Sequence, residues 1–237
     1  METLLNKKDV TCIIPFYNEN AKGLRHIIAT MVQVEEIQKI IVIDDGSESK
    51  KTFNFLIDSL GFMNKVKFIR KEQNKGKCSA INFALRYAFS ENIILIDADL
   101  KDLRREDVIQ AIINFKYLQS DMVILRRVNS LPLVKFIRAD TLLSGERIIK
   151  KSHLKKILQS GVTGYQLEVG VNQYFINNNL QDNCFWSKSN ALNNYKHKKS
   201  NFFKGVFKDL RMYFNLIRYV GIGNFKRQVS GFCKQEA

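Results

Sequence analysis

Ile94-Leu95-Ile96-Asp97-Ala98-Asp99-Leu100 is an apolar run that ends abruptly on two carboxylates one residue apart. The run reads as a buried strand, and the Asp-x-Asp that closes it sets hard oxygen ligands at the carboxyl edge of a sheet. In open α/β folds that edge is where ligands bind. Paired carboxylates there suit a divalent cation held against a diphosphate, because such cations prefer oxygen and neutralise phosphate charge. Aspartates after strands also serve as ordinary turn and N-cap residues, so the tripeptide needs company to carry chemistry.

Working outward from it, strand and helix signals alternate. Val10–Phe16 is a β-branched apolar run, and 24–34 carries apolar residues at helical spacing (Leu24, Ile27, Ile28, Met31, Val32). Ile40–Ile43 is a second strand, and Phe53, Phe55, Leu56, Ile57 and Leu60 mark a second helix. Val66–Ile69, a helix over 77–88, a strand over 93–96, a helix over 108–118 and a strand over 122–125 continue the series. Strands alternating with helices of this length predict βαβ units and a largely parallel sheet. Beyond residue 130 the pattern changes: 154–157 and 165–176 read as helical, and 184–186 as a strand or edge segment.

With 237 residues, 45% of them hydrophobic and 26% charged, the chain can bury one sizeable core as a folded globular protein. Only 2 prolines and 12 glycines argue against low-complexity linkers. The four cysteines (Cys12, Cys78, Cys184, Cys233) show no metal-ligand spacing and favour reduced thiols in a cytosolic setting. The N-terminus lacks the apolar core of a signal peptide, and no run approaches the roughly 20 apolar residues that span a bilayer. A net charge of +15 points to nucleic acid, an anionic membrane, phosphorylated substrates or simply a solvated basic surface. The excess is concentrated late, with Lys196, Lys198, Lys199, Lys204 and Lys208 within thirteen residues.

Three companions strengthen Asp97-Ala98-Asp99, each at a strand-to-loop junction: Pro15-Phe16-Tyr17-Asn18-Glu19, Asp44-Asp45-Gly46-Ser47 and Asn74-Lys75-Gly76-Lys77. They bring an aromatic face for a base, carboxylates for base or ribose, a Gly-opened helix start and a lysine for phosphate. Parallel strands place all their carboxyl ends on one edge, so these loops converge. No Gly-x-Gly-x-x-Gly follows the first strand, which excludes a dinucleotide-binding dehydrogenase. The Gly-rich, Arg-Lys-containing loop of nucleotidyltransferases is also missing there.

The run 12–19 (Cys-Ile-Ile-Pro-Phe-Tyr-Asn-Glu), Ile41-Val-Ile-Asp-Asp-Gly-Ser47, Asn74-Lys-Gly-Lys77 and Leu95-Ile-Asp-Ala-Asp99 resemble, in order, the opening motifs of family 2-type glycosyltransferases of the GT-A fold. The likeness covers residues 9–125. It implies an α/β architecture, a mostly parallel Rossmann-like sheet flanked by helices. It also implies that Pro15, Tyr17, Asn18, Glu19, Asp44 and Asp45 hold nucleobase and ribose, with Gly76, Lys77 and Ala98 completing the donor site. Asp97 would contact ribose or donor sugar, and Asp99 a Mg2+ or Mn2+ ion. The second half is similar to the glucosyl-3-phosphoglycerate synthase branch, through Asp97-Ala-Asp-Leu-Lys-Asp-Leu103, Ser144-Gly-Glu-Arg147, Gly164-Tyr-Gln-Leu-Glu168 and Asn194-Tyr-Lys-His197. That likeness implies His197 as a further metal ligand and Gly145, Glu146, Arg147, Tyr165 and Glu168 around the acceptor. Arg147 would sit in the acceptor loop, placed to pair a phosphate or carboxylate. Glu168, among the apolar Leu167, Val169 and Val171, is either paired with a Lys or Arg or an active-site group. Its role, general base or acceptor contact, stays open.

The resulting expectation is non-processive sugar transfer from a UDP- or GDP-sugar to an acceptor hydroxyl, with Asp97 and Glu168 as the catalytic carboxylates. The Gln-x-x-Arg-Trp element of processive synthases is absent, and Trp186 lacks that context. The expected division is a glycosyltransferase domain over 1–200, with halves 1–125 and 126–200, and a basic amphipathic helical extension over 201–237. In that extension an aromatic and aliphatic stripe over 202–219 alternates with basic residues, as in core helices or in helices that dock on anionic lipid. A phosphorylated or lipid-linked acceptor, and a cytoplasmic location with peripheral attachment to the inner membrane face, fit that second reading. No nucleic acid is expected as a partner, and homodimerisation through the C-terminal helices is left open. The competing reading is a basic nucleic-acid- or membrane-binding protein on a catalytically degenerate glycosyltransferase scaffold.

Overall fold

The computed structural model describes residues 8–130, 132–163, 166–193 and 216–237. Strand β1 (Val10–Phe16) is buried along its whole length, as befits a central strand covered on both faces. Its side chains alternate. Val10, Cys12, Ile14 and Phe16 enter one apolar layer with Leu24, Ile27, Ile28 and Met31, while Ile13 enters the other with Ala80 and Ile81.

Helix α1 (Ala21–Val32) follows, its first turn capped by Asn20, whose Oδ1 accepts the Gly23 N–H at 3.0 Å. Next come β2 (Ile37–Asp44), α2 (Lys51–Leu60), β3 (Val66–Arg70), α3 (Lys77–Ala84) and β4 (Asn92–Leu95). After a short β5 (Leu100–Lys101) the chain continues through α4 (Arg105–Tyr117), β6 (Met122–Arg127), α5 (Pro132–Phe136), α6 (Ala139–Leu142) and β7 (Arg147–Lys150). The rest comprises α7 (Lys151–Gln159), α8 (Leu167–Asn177), β8 (Cys184–Ser189), β9 (Leu192–Asn193) and α9 (Ile222–Gly231), with residues 216–220 also helical.

Seven strands form one sheet in the order β3-β2-β1-β4-β7-β6-β8. β7 runs antiparallel to both β4 and β6, and the other pairings are parallel. One face packs on α1, α2 and α4. The other packs on α3, α7, α8 and Phe232 from the C-terminal segment. This is the mostly parallel, helix-flanked α/β sheet that the alternation predicts.

Two expectations need correcting. Gly145, Glu146 and Arg147 are expected in an acceptor loop, yet Arg147 opens β7 and is fully buried. A four-residue strand flanked by charges leaves little periodic trace. The helix expected over 165–176 spans Leu167–Asn177, and Tyr165 lies outside the described residues. The expected stripe at 202–219 falls outside them up to residue 215.

Residues beyond 216 pack on the rest of the fold. Trp186 N–H donates to Gln235 O at 3.0 Å, and Ala237 N–H to Trp186 O at 2.9 Å, so the C-terminal residues add to the β8 edge. Arg138 donates to the carbonyls of Val229, Phe232 and Cys233 at 3.1, 2.8 and 2.6 Å. Among the described residues no helix is long and apolar enough to cross a membrane.

The turn after β2 depends on one glycine. Gly46 has φ +74°, and a Cβ there would lie 2.5 Å from the Gln73 carbonyl carbon. Gly46→Ala is therefore expected to lower stability by at least roughly 1–3 kcal/mol, read as a downward shift of the thermal midpoint. An unchanged midpoint would refute this account of the turn.

Candidate functional site

The carboxyl ends of β1, β2 and β4 lie side by side, with Phe16 opposite Asp44 and Ile13 opposite Leu95. Asp44, the last residue of β2, is fully buried and occupied inside its own turn. Its carboxylate accepts from Ser47 N–H at 2.8 Å and Ser47 Oγ–H at 2.6 Å, and it pairs with Arg70. This is an Asx-type turn closed by a guanidinium. Asn18, at φ 52°, donates its N–H to Ser47 Oγ at 2.9 Å and accepts the Glu48 N–H at 3.0 Å. The first and second loops are thus laced together. Tyr17 beside them is 38% exposed, and Pro15 is buried within β1.

Asp45 points the other way, to the loop after β3. Its Oδ2 accepts Gly76 N–H at 2.6 Å and Lys75 N–H at 3.2 Å, and its Oδ1 pairs with Lys71. Those two N–H groups precede α3, whose first residue is Lys77. Lys77 Nζ then bridges two carboxylates, Asp97 Oδ1 at 2.6 Å and Glu168 Oε1 at 2.8 Å. Of the two readings of Glu168, the pairing with a lysine is the one observed, and that pair stands at the strand edge. Burial alone would lower the Lys77 pKa, but Asp97 and Glu168 more than reverse this and raise it well above its ordinary value. Burial would likewise raise Asp97, yet Lys77, with Arg127 and Arg147 further off, holds it below the usual carboxylate value.

Gly145 stands against Asp97 for a reason visible in the register. Leu95 pairs with Arg147 in the antiparallel β4–β7 ladder. That is the last pair of the ladder, and two residues past it on each chain Gly145 meets the Asp97 side chain. A Cβ on Gly145 would overlap Asp97 Oδ2 and lie 2.7 Å from its Cγ. Only a residue without a side chain lets that carboxylate stand where it does.

Glu146 is fully buried. Its Oε2 accepts Ser144 Oγ–H at 2.7 Å, while its Oε1 has no hydrogen-bond donor among the described residues. Burial, with the nearby Asp97 charge, raises its pKa. Arg147 donates to Ser144 O and, at 3.3 Å, to Asn172 Oδ1. Asn172 Nδ2 in turn reaches Leu142 O at 2.9 Å and Gln228 Oε1 at 3.3 Å. The guanidinium is thus a brace beneath the 144–146 turn, which corrects its expected place in an open loop.

Asp99 lines a cleft with Glu19, Asn20, Gly23, Ala98, Leu100 and Lys101. Here β5 pairs with β9, Leu100 opposite Asn193. Its donor chemistry fits a hard divalent cation, although the described residues hold no cluster of three or more His, Cys, Asp or Glu side chains able to bind one. His197 lies outside the described residues, four positions after Asn193.

The structure thus brings together Asn18, Asp44, Asp45, Gly76, Lys77, Asp97, Gly145 and Glu168 through direct contacts, with Glu19, Ala98 and Asp99 on the adjoining cleft. Sequence reasoning passed over Ser47, Lys71, Asn172 and Gln228. Ser47, three residues after Asp44, carries a turn signal; buried polar residues within apolar helices, such as Asn172, leave none.

A family model described as glycosyl transferase family 2 matches residues 11–174. An uncharacterised glycosyltransferase of Synechocystis is 34% identical over 98 residues, 40% of this chain and 30% of that protein. An N-acetylglucosaminyltransferase of Azorhizobium caulinodans is 32% identical over 92 residues, 38% of this chain and 23% of that protein. The aligned region thus spans less than a third of either curated relative. Among solved structures, glucosyl-3-phosphoglycerate synthase of Mycobacterium tuberculosis, in complex with Mn2+, UDP and glucosyl-3-phosphoglycerate, superposes with a TM-score of 0.69. That match has 17% identity and covers 98% of this chain and 83% of that one. The same synthase with Mn2+, UDP-glucose and phosphoglyceric acid gives 0.70 at 17% identity, covering 95% and 82%. At such identity the likeness establishes a shared fold.

Proposed function

This chain belongs to glycosyl transferase family 2, and from that premise we propose that it moves a sugar from a UDP- or GDP-sugar to an acceptor hydroxyl, without processive elongation. The observation that carries the proposal is the line of contacts from Asp45 through Gly76 to Lys77, Asp97 and Glu168 along the carboxyl edge of the sheet. It supports a donor site because one network orients the loops that follow three separate strands.

In this reading Tyr17, Asn18 and Glu19 with Asp45 receive the base and ribose, Pro15 and Asp44 shaping their loops from within. Gly76 and Ala98 let the donor approach backbone, and Asp97, kept ionised by Lys77, contacts ribose or the donor sugar. Asp99 and His197 would hold Mg2+ or Mn2+; the synthase whose fold is shared was crystallised with Mn2+ and UDP. Bound there, the cation would offset negative charge on the departing nucleoside diphosphate. On the acceptor side, Gly145 leaves the Asp97 carboxylate the space in which it stands. Glu168, joined to Asp97 through Lys77, would contact the acceptor, a role proposed also for Tyr165. Arg147 acts through the Ser144–Glu146 turn that it braces. Pre-positioned partners of this kind raise rates by fixing the reacting groups before attack.

The test is binding of UDP and GDP by titration calorimetry with and without Mn2+, together with hydrolysis of the matching donor sugars. Asp99→Ala is expected to weaken the Mn2+-dependent part of binding by more than ~10-fold while sparing the metal-independent part. Full metal-dependent binding in that variant would remove Asp99 from the site.

A further inference from the structure

The C-terminal segment has an inner face that the fold uses and an outer face that it does not. Leu216, Val220, Gln228, Phe232 and Cys233 are buried, and Gln228 donates to Val169 O and Gln173 Oε1, both at 3.2 Å. A helix seated this firmly has its outward residues fixed as well. Those are Arg218, Tyr219, Ile222, Lys226 and Arg227, all exposed. Ile222 and Lys226 are four apart on α9 and share one face, with Arg227 beside them.

Two features mark this face as a docking surface. The first is apolar: Ile222 is 68% and Tyr219 42% exposed. Phe136 is 83% exposed, and Arg138, two residues later, is bonded to carbonyls at the end of α9. The second is charge. Residues 216–237 contain four basic side chains and one acidic one, Glu236, which is paired with Lys188 at 2.9 Å.

We propose that this outer face, Arg218 to Arg227, docks on an anionic lipid surface. Large apolar side chains interleaved with basic ones match the interfacial arrangement, in which apolar groups enter the acyl boundary and cations meet lipid phosphates. Nucleic acid would use the charges, but it gives an exposed isoleucine nothing to bury against. The inference does not rest on the proposed reaction; it would bring the transfer site near membrane-borne acceptors.

The test is co-sedimentation of the full chain with vesicles of phosphatidylcholine alone and of equal parts phosphatidylcholine and phosphatidylglycerol. Binding is expected to the mixed vesicles only. Replacing Lys226 and Arg227 together by Gln should lower partitioning about 25-fold, each basic residue at such a surface being worth roughly fivefold. Ile222→Ser should lower it on the order of tenfold. All three positions are exposed, so the variants should keep the parent's thermal midpoint and UDP binding. A control pair, Lys155→Gln with Lys156→Gln on the exposed side of α7, should bind vesicles as the parent does. Equal losses in both pairs would mean diffuse attraction by net charge and overturn the proposal. So would unaltered partitioning of Ile222→Ser, or binding to an oligonucleotide with none to vesicles.

Discussion

Gly145→Ala is expected to lower sugar transfer by roughly 100-fold, the scale on which displacing a reacting group by an ångström is felt, with nucleotide binding little changed and stability lowered by the strain on one ion-pair bridge. The backbone there lies outside the left-handed region, so alanine itself is no conformational burden. What changes is one methyl group. It would overlap Asp97 Oδ2, with Cγ at 2.7 Å and Oδ1 at 2.8 Å. Asp97 is held by Lys77, which is held by Glu168, so the carboxylate can leave only by breaking that bridge. The contacts of Asp45 with Gly76 and Lys75 are untouched, and UDP affinity is the readout that separates the two effects. Parent-like turnover of donor sugar in this variant would show that the position of Asp97 does not govern transfer.

Lys77→Met is expected to impair both activity and stability. It leaves two carboxylates facing one another across the space their shared cation filled. Asp97, Glu168 and Lys77 are each partly solvated, so the loss is placed at roughly 1–3 kcal/mol rather than at the larger value of a fully buried pair. Transfer should fall by at least ~100-fold, and Lys77→Arg should restore part of it by returning the charge without the geometry. The pH dependence has a defined sign. Asp97 is depressed in the folded state, so its contribution is present above the ordinary carboxylate value and lost as pH falls through the lower folded one. Lys77 is raised, so its contribution is full below the ordinary lysine value and lost only as pH rises through the higher folded one. The melting difference between parent and Lys77→Met, measured without divalent cations, should be widest between about pH 5 and pH 10. It should narrow in stronger acid. A difference that persists unchanged into stronger acid would mean that the bridge contributes packing and not charge.

The nucleotide half of the fold was legible because each of its parts carries a local signal. Apolar runs such as Val10–Phe16 are long enough to read as strands, and the turn chemistry of Asp44-Asp45-Gly46-Ser47 follows one directly. Residues beyond 125 were less legible. Arg147-Ile148-Ile149-Lys150 is a strand only because β4 and β6 lie on either side of it, a pairing of residues dozens of positions apart. The fully buried arginine in it contradicts the surface rule for charged residues until Ser144 and Asn172 are seen to satisfy it. Asp44 and Asp45, alike in sequence, have opposite employments: one closes its own turn, the other fastens a neighbouring loop. Nothing local tells them apart. The C-terminal segment read as an amphipathic extension, yet the register of Trp186 with Glu236 ties it to the sheet edge.

The reversal of β7 has one more consequence. Because β7 reverses beside β4, the chain just before it is carried back to the end of β4, and the closeness of Gly145 to the Asp97 carboxylate is set by where the two backbones run. It works as a fixed gauge. Side chains around it can be exchanged without moving either backbone. Local spacing and local chemistry are thereby separable at this point of the scaffold.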